Sequence, residues 1–348
     1  QYTTKILLNS MYGVLGNKTF RFFDIDNAEA VTLTGQQLIK ATGEFGSKFY
    51  NDELGTDKDY CIYTDTDSVF FSAKPLIIHR YPNIDHDDKA AMTKAIFPIT
   101  EEVQEFINKM YNLYAERIHS VSKHRFDIKQ ENIAKAGIWI AKKRYAQWVI
   151  NIEGHTVDKL DVKGIDVVRS NFPTAMRTFM AEVLKGILEN KTQDAIDEMV
   201  LDFKDNMKKM DIGDIAKSTG VKNIEKHIFK DQDNVIELSK GAPAHVKAAV
   251  AYNNMLRRTG NTQLGEIRSG DKIKWVYLRQ NPFGLGAIAF KNYDDPDNVK
   301  DFIKKYIDYN MIFTRELNNK LGAFYSAMKW GELPTESMRQ VHKFFDFS

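Results

Sequence analysis

Asp65 and Asp67 stand two residues apart in the run Thr64-Asp65-Thr66-Asp67-Ser68. The run is flanked by Tyr60-Cys61-Ile62-Tyr63 and Val69-Phe70-Phe71, whose β-branched and aromatic residues read as the two strands of a hairpin. A tight turn between strands can aim both carboxylates at one point, and a divalent cation is what such a point would hold. Mg²⁺ takes hard oxygen ligands, few from protein and the rest from water and substrate phosphates, so a short acidic turn suits phosphoryl transfer. A solvated polar turn is the plainer reading of an isolated Asp-x-Asp.

Two further groups carry chemistry. In Lys5-x-x-x-Asn9-Ser10-x-Tyr12-Gly13, helical spacing places Lys5, Asn9 and Tyr12 on one side. A cation for a polyphosphate, an amide for phosphate or sugar, and a flat ring for a base then face one ligand. An amphipathic helix with an exposed lysine is the alternative. Lys142-Lys143-Arg144-Tyr145 lies between Trp139 and Trp148 in a strand-like run. Three consecutive cations repel unless they face an anion such as a nucleic-acid backbone; a solvated basic edge strand is the alternative.

The elements that must position these groups follow from periodicity. Lys5 to Leu15 reads as the end of a helix, and Ala28 to Tyr50 as a second one despite Gly35, Gly43 and Gly46. Thr100 reads as the cap of a long amphipathic helix, with Glu101 and Glu102 in its first turn and Val103, Phe106, Ile107, Met110, Tyr111 and Tyr114 on one stripe. Phe126 to Ile128, Gly137 to Ala141 and Tyr145 to Ile150 read as strands of an antiparallel meander. Beyond Gly164 to Pro173 the composition turns helical, with Thr174 to Glu189, Thr192 to Lys209 and Asp297 to Ile312 as segments. Residues 76 to 98, with Pro75, Pro82, Pro98 and an acidic run, read as a surface excursion. The fold class is α+β, with a domain boundary near residue 166.

The 348 residues are 43% hydrophobic and 28% charged, enough to bury a sizeable core. A net charge of +2 announces no bulk electrostatic partner, so any basic surface is local. One such stretch is Ser239 to Trp275, which is basic by five and includes Arg257 and Arg258. A lone cysteine, Cys61, excludes an intrachain disulfide. No apolar run is long enough to span a bilayer, so no membrane partner is expected. The opening Gln-Tyr-Thr-Thr-Lys, without an initiator methionine, reads as that of a processed product or a fragment.

Order and spacing join the three groups: Lys5 to Gly13, then Tyr63 to Ser68, then Lys142 to Tyr145. This arrangement resembles family B (polymerase α-like) DNA polymerases, with their K-x-x-x-N-S-x-Y-G fingers motif, D-T-D-S palm hairpin and K-K-x-Y strand. Arg279-Gln280-Asn281-Pro282-Phe283-Gly284, Tyr252 to Arg258 and the ending Phe344-Phe345-Asp346-Phe347 are similar to the replicative polymerases of T-even-type phages. The resemblance implies an antiparallel-sheet polymerase palm with flanking helices, followed by a mostly helical thumb. Residues 1–16 would end a fingers helix, 17–166 form palm, 167–340 thumb, and 341–348 a clamp-binding tail.

The resemblance also implies roles. Lys5 and Asn9 would contact the triphosphate of a dNTP, and Tyr12 with Gly13 would line the floor of the nascent base pair. Asp67 would be the firm ligand of two Mg²⁺ ions, for which Mn²⁺ can substitute, with Asp65 its weaker partner and Asp127 a further acidic palm position. Lys143 and Tyr145, beside Lys142 and Arg144, would hold primer-template DNA, and Arg257 and Arg258 the product duplex. Phe344, Phe345 and Phe347 would dock on a sliding clamp. The family's other metal-binding Asp belongs to a D-x-x-S-L-Y-P-S segment that is absent here. The chain is therefore expected to need an amino-terminal half carrying that segment, the exonuclease and most of the fingers, and to work in the cytoplasm of an infected host cell. A duplex-DNA and clamp-binding module without catalysis is the alternative function. A haloacid dehalogenase-like phosphatase, with Asp65 as nucleophile, Asp67 as general acid and a later acid such as Asp294-Asp295, is a third reading, and it requires a parallel βαβ sheet.

Overall fold

A computed structural model of the chain describes residues 2–86, 88–169, 171–232, 235–260, 264–291 and 295–335. The contacts divide the chain into two compact units, residues 1–135 with 150–157, and residues 136–149 with 158–348. The elements of the first are α1 (Tyr2–Leu15), α2 (Ile25–Leu54), β1 (Cys61–Asp65), β2 (Ser68–Phe71), α3 (Lys74–Arg80) and α4 (Lys89–His119). Next come β3 (Asn132–Ala141), β4 (Arg144–Ile152) and β5 (His155–Lys163), a sheet in that order. The second unit continues with α5 (Thr174–Leu188), α6 (Gln193–Asn206), α7 (Ile212–Ile215), β6 (Lys217–Gly220), β7 (Ile228–Gln232), β8 (Val235–Leu238) and α8 (Ala244–Arg258). It ends with β9 (Lys272–Tyr277), β10 (Ala287–Phe290), α9 (Asp297–Tyr306), α10 (Tyr309–Phe313), a π-helical turn at Thr314–Asn318 and α11 (Asn319–Met328). The result is an α+β arrangement of small antiparallel sheets among helices.

Helix α2 is the backbone of the first unit. Asp24 caps its start by accepting from Asn27 N–H, and Gly55, at φ 65, ends it. Two glycines sit where α2 meets the β1–β2 hairpin. A Cβ on Gly46 would lie 2.2 Å from the Phe71 ring, and one on Gly43 would lie 3.4 Å from Cys61 Sγ. The glycines therefore let the helix backbone approach the sheet more closely than any side chain permits. Polar bonds fix the register: Ser47 Oγ donates to Asp59 Oδ1 at 3.0 Å and accepts from Tyr60 N–H at 2.9 Å. Thr42 and the Tyr111 hydroxyl, 2.8 Å apart and buried, join α2 to α4. Arg80 grips Glu53 and Glu102 with both carboxylates bidentate, tying α3 to α2 and α4. Those hydrogen bonds hold the Glu53 carboxyl below its usual range.

Residues 76 to 98 are not a surface excursion. Leu76, Ile77 and Ala95 are buried with Tyr50 and Ile99 in the core of this unit. Burial of Ala95 and Ile99 also explains why α4 starts at Asp88, whose side chain accepts from Ala90 and Ala91 N–H, rather than at Thr100. Packing carries the helix through Pro98, and Thr100 Oγ1 donates back to Phe97 C=O at 2.8 Å. The strand expected at 126–128 is absent as well. Its backbone is paired by a helix side chain instead: Asn108 Oδ1 accepts from Ile128 N–H and Asn108 Nδ2 donates to Ile128 C=O, both at 2.9 Å.

In the second unit one large core joins α5, α6, α8 and the sheet β10-β9-β6. Phe179 and Phe203 stack at 4.1 Å between α5 and α6. Asparagines again replace strands: Asn253 closes a two-bond pair with Ile267, and Asn254 with Ile236. The helix expected from Asp297 to Ile312 is broken after Tyr306, because Ile307 bridges Leu278 and Asp308 caps α10 at Met311.

Three substitutions test this packing. Gly46→Ala is expected to destabilise the protein in urea unfolding by about 1–3 kcal/mol through overpacking against Phe71. Gly35→Ala, in the same helix with nothing within 4 Å, is expected to stabilise it by up to about 1 kcal/mol. Asn108→Ala is expected to accelerate hydrogen–deuterium exchange across 126–130 by about tenfold, since both bonds to Ile128 are lost.

Candidate active site

The β1–β2 hairpin turns in two residues. Asp65 pairs with Ser68 across the strands, leaving Thr66 and Asp67 at the tip. Thr66 has φ 58, an unusual conformation for a β-branched residue, and Asp67 N–H donates to Asp65 C=O at 2.7 Å, the bonding pattern of a γ-turn. Ser68 Oγ donates to the same carbonyl at 3.1 Å, and Thr66 Oγ1 to Asp65 Oδ1 at 3.1 Å. Asp67 is exposed and Asp65 half-buried. A strained, doubly bonded turn thus holds two carboxylates at one end of a hairpin seated on α2.

Both carboxylates are hard oxygen donors and fit a divalent cation that draws its remaining ligands from water and phosphate. Among the described residues there is no cluster of three or more His, Cys, Asp or Glu side chains able to hold a metal ion. Asp127 is exposed and pairs with Lys129 at 3.2 Å. The antiparallel pairing of β1 with β2 removes the parallel βαβ unit that the phosphatase reading requires; Asp294 lies outside the described residues.

Lys5, Asn9, Tyr12 and Gly13 all lie on α1 and are exposed. Tyr12 and Gly13 line a crevice of about 310 Å³ together with Gly16, Ile25, Ala28, Glu29 and Thr32, where the end of α1 meets the start of α2. Helix α1 buries no side chain, and Ile6, Leu7, Leu8 and Met11 are each at least half exposed.

In the second unit, Lys142 and Lys143 are not inside a strand. They form the two-residue turn between β3 and β4, with Lys143 at φ 60. Gly164, itself at φ 65, abuts this turn so closely that a Cβ would fall 1.8 Å from Lys143 O. Both lysines are therefore displayed, exposed, at a tip. Arg144 opens β4, and Tyr145 is buried and stacked on Trp139 at 6.3 Å. Arg257 is committed inside the fold, to Glu266 and Asp231, each at 2.5 Å. Arg258 is exposed, with its guanidinium 4.9 Å from the Phe283 ring centre. Phe344, Phe345 and Phe347 lie outside the described residues. No helix among the described residues is long and apolar enough to cross a membrane.

The model of DNA polymerase family B matches residues 1–106 and 97–323. The DNA-directed DNA polymerase of Escherichia phage RB69 is 27% identical over 100% of this chain and 38% of its own length. That of Enterobacteria phage T4 is 26% identical over 90% of this chain and 35% of its own length. The DNA polymerase alpha catalytic subunit of Mus musculus is 24% identical over 91% of this chain and 19% of its own length. The chain thus spans well under half the length of these relatives. With a family match running through the acidic hairpin, α1 and the Lys142–Tyr145 turn, the chain belongs to DNA polymerase family B.

Proposed function

We propose that the chain supplies the metal-binding hairpin, nucleotide-facing helix end and DNA grip of a DNA-directed DNA polymerase, working with an amino-terminal half. The observation that carries this reading is the strained turn presenting Asp65 and Asp67 from a hairpin seated on α2. In this reading 1–16 ends the fingers, 17–166 is palm, 167–340 thumb and 341–348 a tail for a sliding clamp.

The reaction is attack of a primer 3′ hydroxyl on the α-phosphorus of a dNTP, forming a phosphodiester and releasing pyrophosphate. Mg²⁺, when bound at Asp67 and Asp65, supplies charge neutralisation and an acidified hydroxyl. The chain's own residues position the reactants. Lys5 and Asn9 project from α1 toward the triphosphate, and the crevice at Tyr12 and Gly13 offers a floor for the new base pair. Lys142, Lys143 and Arg144, at and beside the tip that Gly164 supports, neutralise phosphates of the primer-template. Tyr145, buried against Trp139, shapes that tip from beneath, and of the two neighbouring arginines Arg257 is committed to Glu266 and Asp231, which leaves Arg258 as the exposed one. The uncovered apolar face of α1 supports an amino-terminal half packing there, and that half would bring the second palm carboxylate.

A second reading, a duplex- and clamp-binding module without catalysis, is favoured by the lack of a third carboxylate among the described residues. The test is extension of primed template with dNTPs and Mg²⁺ by the chain mixed with a separately made amino-terminal half of a related polymerase. Extension is expected only in the mixture, with Asp67→Ala lowering the rate by roughly a hundred- to a thousandfold and Asp65→Ala by less. Binding to primed duplex without extension in any mixture would leave the module reading.

A further inference from the structure

The loop between β9 and β10 is built around one side chain. Asn281 Nδ2 donates to Arg279 C=O at 2.8 Å and Leu285 C=O at 2.6 Å, while its Oδ1 accepts from Phe283 N–H at 3.2 Å and Leu285 N–H at 3.1 Å. Gly284 takes φ 63 to close the turn. Arg279 ties the loop to the end of α9, its N–H donating to Tyr306 C=O at 2.7 Å and its guanidinium to Lys305 C=O at 2.8 Å. A loop with its amide side chain fully used and two anchors on a helix is a rigid mount.

What it mounts is Phe283, a residue 49% exposed. The ring packs against Phe302 at 5.6 Å, and Arg258 lies over it at 4.9 Å. Phe302 in turn meets Tyr306 at 4.8 Å, with Lys305 Nζ 5.3 Å from the Tyr306 ring. Arg258, Arg279, Lys304 and Lys305 are all exposed, and none forms an ion pair among the described residues. Arg257, one residue away, is paired with two carboxylates. The surface therefore combines a fixed aromatic ring with cations that form no ion pair with a carboxylate among the described residues.

We infer that the Phe283–Arg258 surface binds single-stranded nucleic acid, stacking an unpaired base on Phe283 while Arg258, Lys304 and Lys305 meet the adjacent phosphates. Charge complementarity selects a polyanion, and the half-exposed ring selects among polyanions. A duplex buries the faces of its bases and leaves a flat ring nothing to stack on, whereas an unpaired strand offers a base face at every nucleotide. Phosphate contacts alone would need the cations and not the ring. The site lies outside the acidic hairpin and does not depend on catalysis there.

The test is fluorescence anisotropy of the full chain with a labelled oligothymidylate and, separately, a blunt duplex of the same length, at fixed salt. Phe283→Ala is expected to weaken binding of the single strand by roughly ten- to a hundredfold, the loss of one base–aromatic stack, and to leave duplex binding within about twofold. Phe283→Trp is expected to retain single-strand binding. Phe229→Ala removes a more exposed phenylalanine elsewhere in the same unit and is expected to change neither. Equal loss on both ligands, no loss on the single strand, or no binding of the single strand by the unaltered chain would each overturn the assignment. Failure of primer extension in the reconstituted mixture would leave it standing.

Discussion

Where a side chain on residue 46 would stand, the ring of Phe71 stands instead. This close approach of α2 to the β1–β2 hairpin is the constraint on which the rest of the first unit depends. It sets the depth of the hairpin, and Ser47, one residue on, sets its register by holding Asp59 and Tyr60. Phe71 then stacks on Tyr50 of the same helix, and Tyr50 meets Tyr60, just before β1, at a tilt, so the hairpin is gripped from one side by a single helical turn. With the strand ends fixed in this way, the two-residue turn has no slack, and Thr66 is driven into the left-handed region. The backbone bonds around Asp65 persist because the packing beneath them over-determines the turn.

A second device recurs through both units: an asparagine amide takes the place of a neighbouring strand. Asn108 does this for Ile128, Asn253 for Ile267 and Asn254 for Ile236. One amide supplies a donor and an acceptor spaced like those of a peptide unit, so a short extended segment meets its hydrogen-bonding needs on a helix face. Asn281 extends the device to a whole loop. The price is specificity of position: each amide serves one segment only, and the loops are correspondingly defined.

Much of this was legible in the sequence where the signal is local. The β1–β2 hairpin, α2 and the helices starting near Thr174 and Thr192 follow from residue type and period, and the family followed from three motifs in order. What was not legible depends on contacts distant in the chain. Pro98 and the acidic run suggested a break, yet burial of Ala95 and Ile99 against Leu76 and Ile77 carries α4 back to Asp88. Phe126 to Ile128 has strand composition, but its partner is a side chain of α4. Lys142 and Lys143 looked like a strand interior because apolar residues flank them on both sides; a positive φ at Lys143 opposite Gly164 makes them a turn. The double arginine gave no hint that Arg257 is locked to carboxylates from two other segments while its neighbour is free to face solvent.

In the assembled polymerase proposed above, a divalent cation sits at the turn of Thr66 and Asp67. Substituting Fe²⁺ for Mg²⁺ and mapping hydroxyl-radical cleavage of the chain, in a mixture with an amino-terminal half, primed template and nucleotide, tests this directly. Cleavage centred on residues 65 to 68, suppressed by excess Mg²⁺ and absent in Asp67→Ala, is expected. Cleavage centred elsewhere in the chain, with the 65–68 turn intact, would contradict it.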